Sequence, residues 1–232
     1  MISIILPVYN SGKLLKNNMP DIIKKMNEIK KNTNENYEII IIEESMDNTP
    51  IIAKSFTKIK NIRHIHNDKR LGKGGAIERG ILNSRGDKII FMDIDLSTNL
   101  SSLPRLIEGL YEYDIVVGSR FHPGSVAKRP FYRRFLGFGL SLLSRILFRI
   151  PVKDTQCGFK AFRKGAIRKI IKEVRNKAWF WDIEILYYAK KYHYKIHEIP
   201  ITWRHNSQIN YNVFHHTFLH FKNSLSLFLR EL

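Results

Sequence analysis

At 232 residues, 44% of them hydrophobic, the chain is long enough for one large domain with a full core, or for one domain with a C-terminal extension. Its single cysteine, Cys157, excludes an intrachain disulfide and leaves the redox compartment open. A net charge of +18, from 39 Lys+Arg against 21 Asp+Glu, points to an anionic partner: nucleic acid, a phospholipid surface or a phosphorylated substrate. Pairs such as Lys24-Lys25, Lys30-Lys31 and Lys190-Lys191 lie on helical patterns and read as solvated faces.

Ile2 to Val8 is an apolar, β-branched run closed by Tyr9-Asn10-Ser11-Gly12, a strand and then a loop. No basic region precedes it, which argues against a secretory signal. Residues 13–31 carry Leu14, Leu15, Ile22, Ile23, Met26 and Ile29 at helical spacing, and Pro20 is expected to divide that stretch or to mark a helix start. Tyr37 to Ile42 is a second buried strand, ending in the acidic loop Glu43-Glu44-Ser45-Met46-Asp47-Asn48-Thr49. A short helix over 50–58, a strand over 62–65 and a helix over 72–85 follow, the last opened by Gly72-Lys73-Gly74-Gly75. That opening suits a phosphate or ribose contact, since small residues let backbone N–H groups approach an anion. Close packing of a helix start explains the glycines equally well. Neither the Walker A pattern nor a spaced Gly-x-Gly-x-x-Gly is present, which disfavours an NTP hydrolase or an NAD enzyme.

Ile89 to Met92 reads as a strand buried on both faces, ending in Asp93-Ile94-Asp95. Alternate residues of an extended chain point to opposite sides, so the two carboxylates can share one ion only if the chain turns there. A helix over 103–113 and a strand over 115–117, ending in Gly118-Ser119-Arg120, complete five strand–helix alternations. These predict a doubly wound, mostly parallel α/β sheet with helices on both faces. The loops at Tyr9-Asn10, Glu43-Glu44, Asp93-Asp95 and Ser119-Arg120 would then meet at one sheet edge, where such folds bind ligands. Two carboxylates there suit a hard divalent cation carrying a diphosphate.

Beyond residue 120 the pattern changes. Residues 121–134 read as a polar, basic loop, 135–150 as an apolar helix, and 153–163 as a polar segment containing Gly158. Helices are expected over 164–174 and 179–192, a strand over 195–203, and an amphipathic helix over 211–230. Asp182 and Glu184, two residues apart on a helix, do not share a face. His215-His216 and His220 lack a carboxylate at ligand spacing, which discounts zinc; His205 suits a metal or phosphate contact, but a lone histidine is more often structural. No charge-free stretch of about 18 residues occurs, so no spanning helix is expected. No internal repeat is present.

Taken together, Ile4-Ile5-Leu6-Pro7-Val8-Tyr9-Asn10, the acidic loop, Arg70-Leu71-Gly72-Lys73-Gly74-Gly75-Ala76, Asp93-Ile94-Asp95-Leu96-Ser97 and Val117-Gly118-Ser119-Arg120 resemble the family 2 glycosyltransferases. Asp154-Thr155-Gln156-Cys157-Gly158-Phe159-Lys160 and Trp181-Asp182-Ile183-Glu184 narrow the resemblance to the polyprenyl-phosphate (dolichyl-phosphate) sugar synthases, closer to the glucosyl branch. It spans residues 1–207, leaving 208–232 as a C-terminal amphipathic helix at an interface.

The resemblance implies a GT-A fold and inverting transfer of a sugar from a nucleotide sugar, UDP-glucose or another UDP-hexose, to a polyprenyl phosphate. Pro7, Tyr9, Asn10, Glu43, Glu44, Lys73, Gly74, Ile94 and Arg204 would line the donor side. Asp93 and Asp95 would hold Mg2+ or Mn2+, and Arg120 would reach the phosphates, these three carrying the catalysis. Arg129, Arg133, Arg134, Gln156 and Asp182 would serve the acceptor. One departure stands out: Glu43-Glu44-Ser45-Met46-Asp47 replaces the family's usual Asp-Asp-Gly-Ser-x-Asp, one residue shorter and without the glycine, so which glutamate faces the base stays open.

A lipid phosphate is already an anionic nucleophile and has little need of a general base. A sugar hydroxyl acceptor, the rival within the family, would need one, and Asp182 is the candidate. Lys128, Arg129, Arg133 and Arg134 ahead of the apolar 135–150 fit an anionic bilayer, although a buried core helix explains 135–150 equally well and a solvated helix start explains Arg133-Arg134. The protein is therefore expected to be peripheral, on the cytoplasmic face of a membrane. A basic nucleic-acid-binding module is the alternative from another class. Phe214, Phe218 and Phe221 fall on one helix face, which suits a core or a membrane better than base stacking, so no nucleic-acid partner is expected.

Overall fold

The computed structural model describes residues 1–128, 131–204 and 213–231, with the side chains of 131–135 and 213–216 outside that description. The elements run β1 (Ile2–Val8), α1 (Gly12–Thr33), β2 (Tyr37–Glu43), α2 (Thr49–Phe56), β3 (Ile62–His66), α3 (Gly72–Asn83), β4 (Lys88–Met92), a 3-10 turn (Leu100–Ser102), α4 (Leu103–Gly109), β5 (Ile115–Ser119), β6 (Val126–Lys128), α5 (Phe131–Phe148), β7 (Phe159–Arg163), α6 (Lys164–Ile170), α7 (Trp181–Lys191), β8 (Ile196–Pro200), β9 (Thr202–Arg204) and α8 (Val213–Arg230).

Seven strands form one sheet in the order β3-β2-β1-β4-β7-β5-β8, and β6 with β9 forms a separate two-stranded parallel ribbon. Within the large sheet β7 alone runs antiparallel, inserted between β4 and β5. The mostly parallel α/β class is as the sequence predicts. Strand periodicity divides the core in two. Ile2, Ile4, Leu6, Ile39, Ile41, Ile90 and Met92 pack with α1 and α4 on one face. Ile5, Ile40, Ile42, Ile89 and Phe91 pack with α3, α6 and α7 on the other. Trp181 meets Phe91 edge-on at 5.7 Å, anchoring α7 under β4.

Several elements differ from the sequence reading. α1 runs unbroken through Pro20. Pro20 is exposed, so the carbonyl one turn back that it cannot serve has access to water. Residues 153–163 contain the buried strand β7, which Lys160 and Arg163 disguise by interrupting its apolar run. The stretch 121–134 holds β6 and the first turn of α5. The predicted strand over 195–203 splits at buried Ile201, whose N–H is taken by Ser125 Oγ at 3.0 Å rather than by the sheet. The expected boundary at residue 207 lies outside the described residues, as does His205.

α8 packs inward through His220, Ser224 and Leu227, spaced i, i+4, i+7. Its end is pinned to α7: Arg230 donates to Glu184 at 2.8 Å, and Glu231 accepts from Tyr187, Tyr188 and Lys191. Burial pushes the His220 imidazole down to about 4, so it folds neutral. The unfolded chain, with an ordinary histidine near 6.5, binds more protons below that pH, and stability falls as pH drops. Between pH 6.5 and 4.5 the loss is expected to reach about 2 kcal/mol. Toward the bottom of that window and below it, the depressed carboxylates of Glu38 and Asp154 add their own losses. Urea titrations across the window should show the slope in the wild type and a much shallower one in His220→Asn, left by the depressed glutamates.

Candidate active site

The sheet order reverses between β1 and β4, and the crevice at their carboxyl ends is the switch point of the fold. β4 stops at Met92, and the chain turns, with Leu96 N–H bonding Asp93 O at 3.4 Å. Ile94 buries its side chain in the core, and its carbonyl accepts from Asn18 Nδ2 at 2.8 Å. The residue between the two aspartates is thus the anchor of the turn. Leu96 takes φ 51°, a strained conformation for a side chain of its size.

Asp93 and Asp95 have different surroundings. Asp93 Oδ1 lies 2.7 Å from Lys73 Nζ, at the start of α3. Asp95 is bound by its own loop, accepting Ser97 Oγ at 2.7 Å and Ser97 N–H at 3.0 Å. Burial and then the charge of Asp93 push Asp95 above the usual aspartate value, against the pull of Ser97 and Lys73. Lys73 loses to burial but gains more from Asp93, Asp182 and Asp95, and stays above the ordinary lysine value. Its ammonium lies 4.7 Å from the centre of the Trp179 ring.

Antiparallel β7 enters the sheet at this same edge, so the loop before it runs beside Asp93. A Cβ on Gly158 would collide with the Asp93 carboxylate, so bare backbone is required there. Gly74 packs against Trp181, where a Cβ would fall 2.5 Å from the Trp181 side chain; its role is close packing of α3 on α7. In the same loop, Asp154 is fully buried and binds Arg120 three ways: Nε at 2.7 Å, Nη2 at 2.8 Å and the backbone N–H at 2.9 Å. Burial alone would raise Asp154, but Arg120, with Lys160 behind it, holds the carboxyl below its usual range. Arg120 therefore sits in the site as half of a bidentate pair, 5.7 Å from the Trp203 ring centre.

Asp182 is also buried, its Oδ1 2.5 Å from Lys160 Nζ, which in turn donates to Cys157 O at 2.6 Å. Glu184 faces away from this cluster and holds Arg230 and the N–H groups of Arg175 and Asn176.

On the β1–β2 side, Asn10 N–H donates to Ser45 Oγ and Met46 N–H to Asn10 Oδ1, joining the two loops. Tyr9 is exposed beneath the Arg70 guanidinium, 4.3 Å away, and Pro7 is half-buried in β1. Neither glutamate of the acidic loop extends into the crevice as a free carboxylate. Glu43 is fully buried and bonds His64 Nε2 at 2.9 Å and His66 Nδ1 at 2.5 Å. Glu44 accepts the N–H groups of Leu71 and Gly72 and so fixes the start of α3 ahead of Lys73.

The ribbon sets Lys128 level with Arg204, and Arg204 N–H donates to Ser97 O at 2.8 Å, bringing that arginine beside the Asp95 loop. Arg129 lies outside the described residues, as do the side chains of Arg133 and Arg134 on α5.

The sequence reading missed His64, His66 and Trp179 and gave Asp154, Gly158 and Lys160 no role of their own. For Asp154, Gly158 and Lys160 the signal was present, inside the segment that carries the family resemblance. Among the described residues no three potential ligands come together as a metal site. The protein thus offers an ion two carboxylates. Asp93 already holds one cation, the Lys73 ammonium, and Asp95 is left without one, so hard oxygen donors and a local excess of negative charge fit a divalent ion.

Residues 3–171 match the family described as Glycosyl transferase family 2. The chain is 37% identical over 215 residues to the dolichyl-phosphate beta-glucosyltransferase of Dictyostelium discoideum, covering 87% of this chain and 66% of that protein. It is 35% identical over 206 residues to glycosyltransferase AglD of Haloferax volcanii, covering 87% of this chain and 33% of that protein. The chain thus spans about two thirds of the first relative's length and a third of the second's. Its backbone resembles the crystal structure of glucosyl-3-phosphoglycerate synthase from Mycobacterium tuberculosis in complex with UDP, with a TM-score of 0.71 at 17% identity, over 97% of this chain and 79% of that one. The same enzyme in complex with Mn2+, UDP-glucose and glycerol 3-phosphate gives a TM-score of 0.66 at 17% identity, over 95% of this chain and 76% of that one. At that identity the likeness is one of fold, and it agrees with the GT-A architecture expected from the sequence.

The buried Lys160–Asp182 pair gives a direct test of the arrangement. Lys160→Met strands the Asp182 carboxylate in the interior and is expected to cost about 3–5 kcal/mol of stability. The double variant Lys160→Met with Asp182→Leu should recover most of that loss, because an apolar pair leaves no charge uncompensated. Urea midpoints of the three proteins check both outcomes.

Proposed function

The chain belongs to glycosyl transferase family 2, and from that membership and the site geometry we propose that it transfers a hexose from a UDP-sugar, UDP-glucose or another UDP-hexose, to the phosphate of a polyprenol such as dolichol, inverting the anomeric centre. The observation that carries this reading is the Asp93–Asp95 turn at the switch point, with Lys73, Arg120 and Arg204 gathered around it. The glucosyl branch is supported by the relatives named dolichyl-phosphate beta-glucosyltransferase.

In this reading Tyr9, Asn10 and the β2 loop wall the base and ribose, while Glu43 and Glu44 hold that wall from behind. Asp93 and Asp95 would bind Mg2+ or Mn2+, and the bound ion would neutralise charge on the departing nucleoside diphosphate. Lys73 and Arg204 add positive charge around the same diphosphate, and Arg120, braced by Asp154, keeps its orientation as charge develops. A phosphate acceptor is consistent with the state of Asp182. Its carboxylate is taken by Lys160, which leaves it ill-suited to deprotonate a sugar hydroxyl. Gln156, whose backbone N–H bonds the Asp154 carboxylate that braces Arg120, is assigned to the acceptor side, together with Arg129, Arg133 and Arg134.

The acceptor's lipid tail places the protein at a bilayer. No helix among the described residues is long and apolar enough to cross a membrane. α5 and α8 pack together and expose Leu142, Ile146, Phe218, Phe221, Leu225 and Leu229 to solvent. Such a surface, on a protein of net charge +18, suits the anionic cytoplasmic leaflet.

Asp95→Ala is expected to lower kcat/KM at least about a hundredfold in transfer of radiolabelled glucose from UDP-glucose to dolichyl phosphate with Mn2+. Its circular dichroism should match the wild type, since the side chain bonds only within its own loop. Near-normal turnover, or wild-type transfer from GDP-sugars in preference to UDP-sugars, contradicts the assignment. In flotation with phosphatidylserine vesicles, the wild type should bind at low salt and retain part of that binding at 1 M salt, because only the electrostatic share is screened. Phe221→Glu with Leu225→Glu should abolish the salt-resistant part.

A further inference from the structure

A cation of the protein's own already holds one of the two aspartates. Lys73 is the second residue of α3, and Glu44 fixes that helix start by accepting the N–H groups of Leu71 and Gly72. The lysine side chain is only 12% exposed, and its ammonium lies 4.7 Å from the centre of the Trp179 ring and 5.9 Å from that of Phe91. So enclosed, it needs an anionic partner, and it takes Asp93 Oδ1 at 2.7 Å. The other oxygen, Asp93 Oδ2, lies against Gly158, where a Cβ would collide with it. One oxygen of Asp93 is thus held by Lys73, and the other faces the backbone that leads into β7.

That placement sets Lys73 against a divalent ion at the same turn. Mg2+ binds carboxylate oxygens at about 2.1 Å. An ion sharing Asp93 Oδ1 with Lys73 would lie within about 5 Å of the ammonium, because the two contacts together span no more than that. Like charges at that range repel strongly in a partly buried crevice. Among the described residues no third ligand joins Asp93 and Asp95, so an ion of about six oxygen ligands must draw most of them from outside the protein. The anionic oxygens of a diphosphate meet both needs at once. They give Lys73 another partner and the ion further ligands.

We propose that Lys73 is a positioning residue that competes with the divalent ion for Asp93, so that the ion binds well only together with a diphosphate that draws the ammonium away. The inference rests on the nucleotide-sugar reading above for the identity of that diphosphate. A lysine suits the exchange, since its ammonium swings on a flexible stem while the helix start stays fixed. Asp93 then changes partner without losing charge compensation, and ion and donor enter the crevice as a pair.

Binding of Mn2+ to the full chain, followed through the electron paramagnetic resonance signal of the free ion, tests this without turnover. Lys73→Met removes the charge and leaves Asp93 to water, to which 41% of its side chain is already open, so circular dichroism should match the wild type. With Mn2+ alone, Lys73→Met is expected to bind at least about tenfold more tightly than the wild type. Lys73→Gln, also neutral, should give the same gain, and Lys73→Arg, which keeps the charge, should stay within about threefold of the wild type. Asp95→Ala added to Lys73→Met should abolish the gain, which assigns the ion to the turn. UDP should tighten Mn2+ binding in the wild type both by adding ligands and by drawing Lys73 away. In Lys73→Met only the first route remains, so the tightening should be at least about fivefold smaller. The proposal is overturned if the neutral variants bind Mn2+ no better than the wild type, if their gain survives Asp95→Ala, or if UDP tightens Mn2+ equally in wild type and Lys73→Met. Mn2+ binding that is tightened by UDP but indifferent to Lys73 overturns the proposal and leaves the functional reading standing. Mn2+ binding to none of these proteins, with or without UDP, overturns the metal assignment in that reading and the proposal with it.

Discussion

Charge compensation around a partly buried crevice governs this site. Three acid–base pairs surround the end of β4: Lys73 with Asp93, Arg120 with Asp154, and Lys160 with Asp182. The last two remove charges that the interior would not otherwise tolerate, while the Lys73–Asp93 pair joins a mostly buried ammonium to a carboxylate still open to solvent. Asp95 is the carboxylate among them with no cationic side chain of its own, only the hydroxyl and N–H of Ser97. Burial and the nearby Asp93 raise it for that reason. The protein thus neutralises its own frame and leaves one negative charge over, at the place where a family 2 glycosyltransferase would take a divalent ion.

The frame needs its pairs to come from distant parts of the sequence, which decides how much could be read in advance. β1, β2, β4 and β5 were legible because their apolar runs have no rival explanation; the carboxyl end of β4 located Asp93 and Asp95, and the glycine-rich start of α3 located Lys73. β7 was not legible, because Lys160 breaks its pattern. That lysine is tolerated in the middle of the sheet only because Asp182, brought by α7, lies beneath it. A residue that looks like a surface charge in one dimension is a core residue in three when its partner arrives from elsewhere. The same holds for His220, whose partners Ser144 and Gln156 are set by helix packing rather than by spacing.

The acidic loop shows the converse. Its position at the end of β2 was clear from sequence, and its proximity to the site is real. Yet the carboxylates of Glu43 and Glu44 turn to His64, His66 and the start of α3. Compared with the family's usual pattern the loop is one residue shorter and lacks the glycine. A tighter loop with longer side chains fits an arrangement in which the acids stiffen the walls on either side of the crevice.

The insertion of β7 between β4 and β5 also dictates the order in which this protein can be assembled. In the large sheet β5 pairs only with β7 and β8, both of which follow it in the chain by about forty residues or more. As the polypeptide leaves the ribosome, β1 to β4 can zip into a sheet at once, while β5 has nothing to join. Its hydrogen-bonding edges stay open until α5 has been made and Phe159–Arg163 has threaded back into the gap. The site forms at that same moment, since Gly158 reaches Asp93 only when β7 is in place. A chain halted before that point would have one half-built sheet and a loose, sticky strand, the kind of species that chaperones hold.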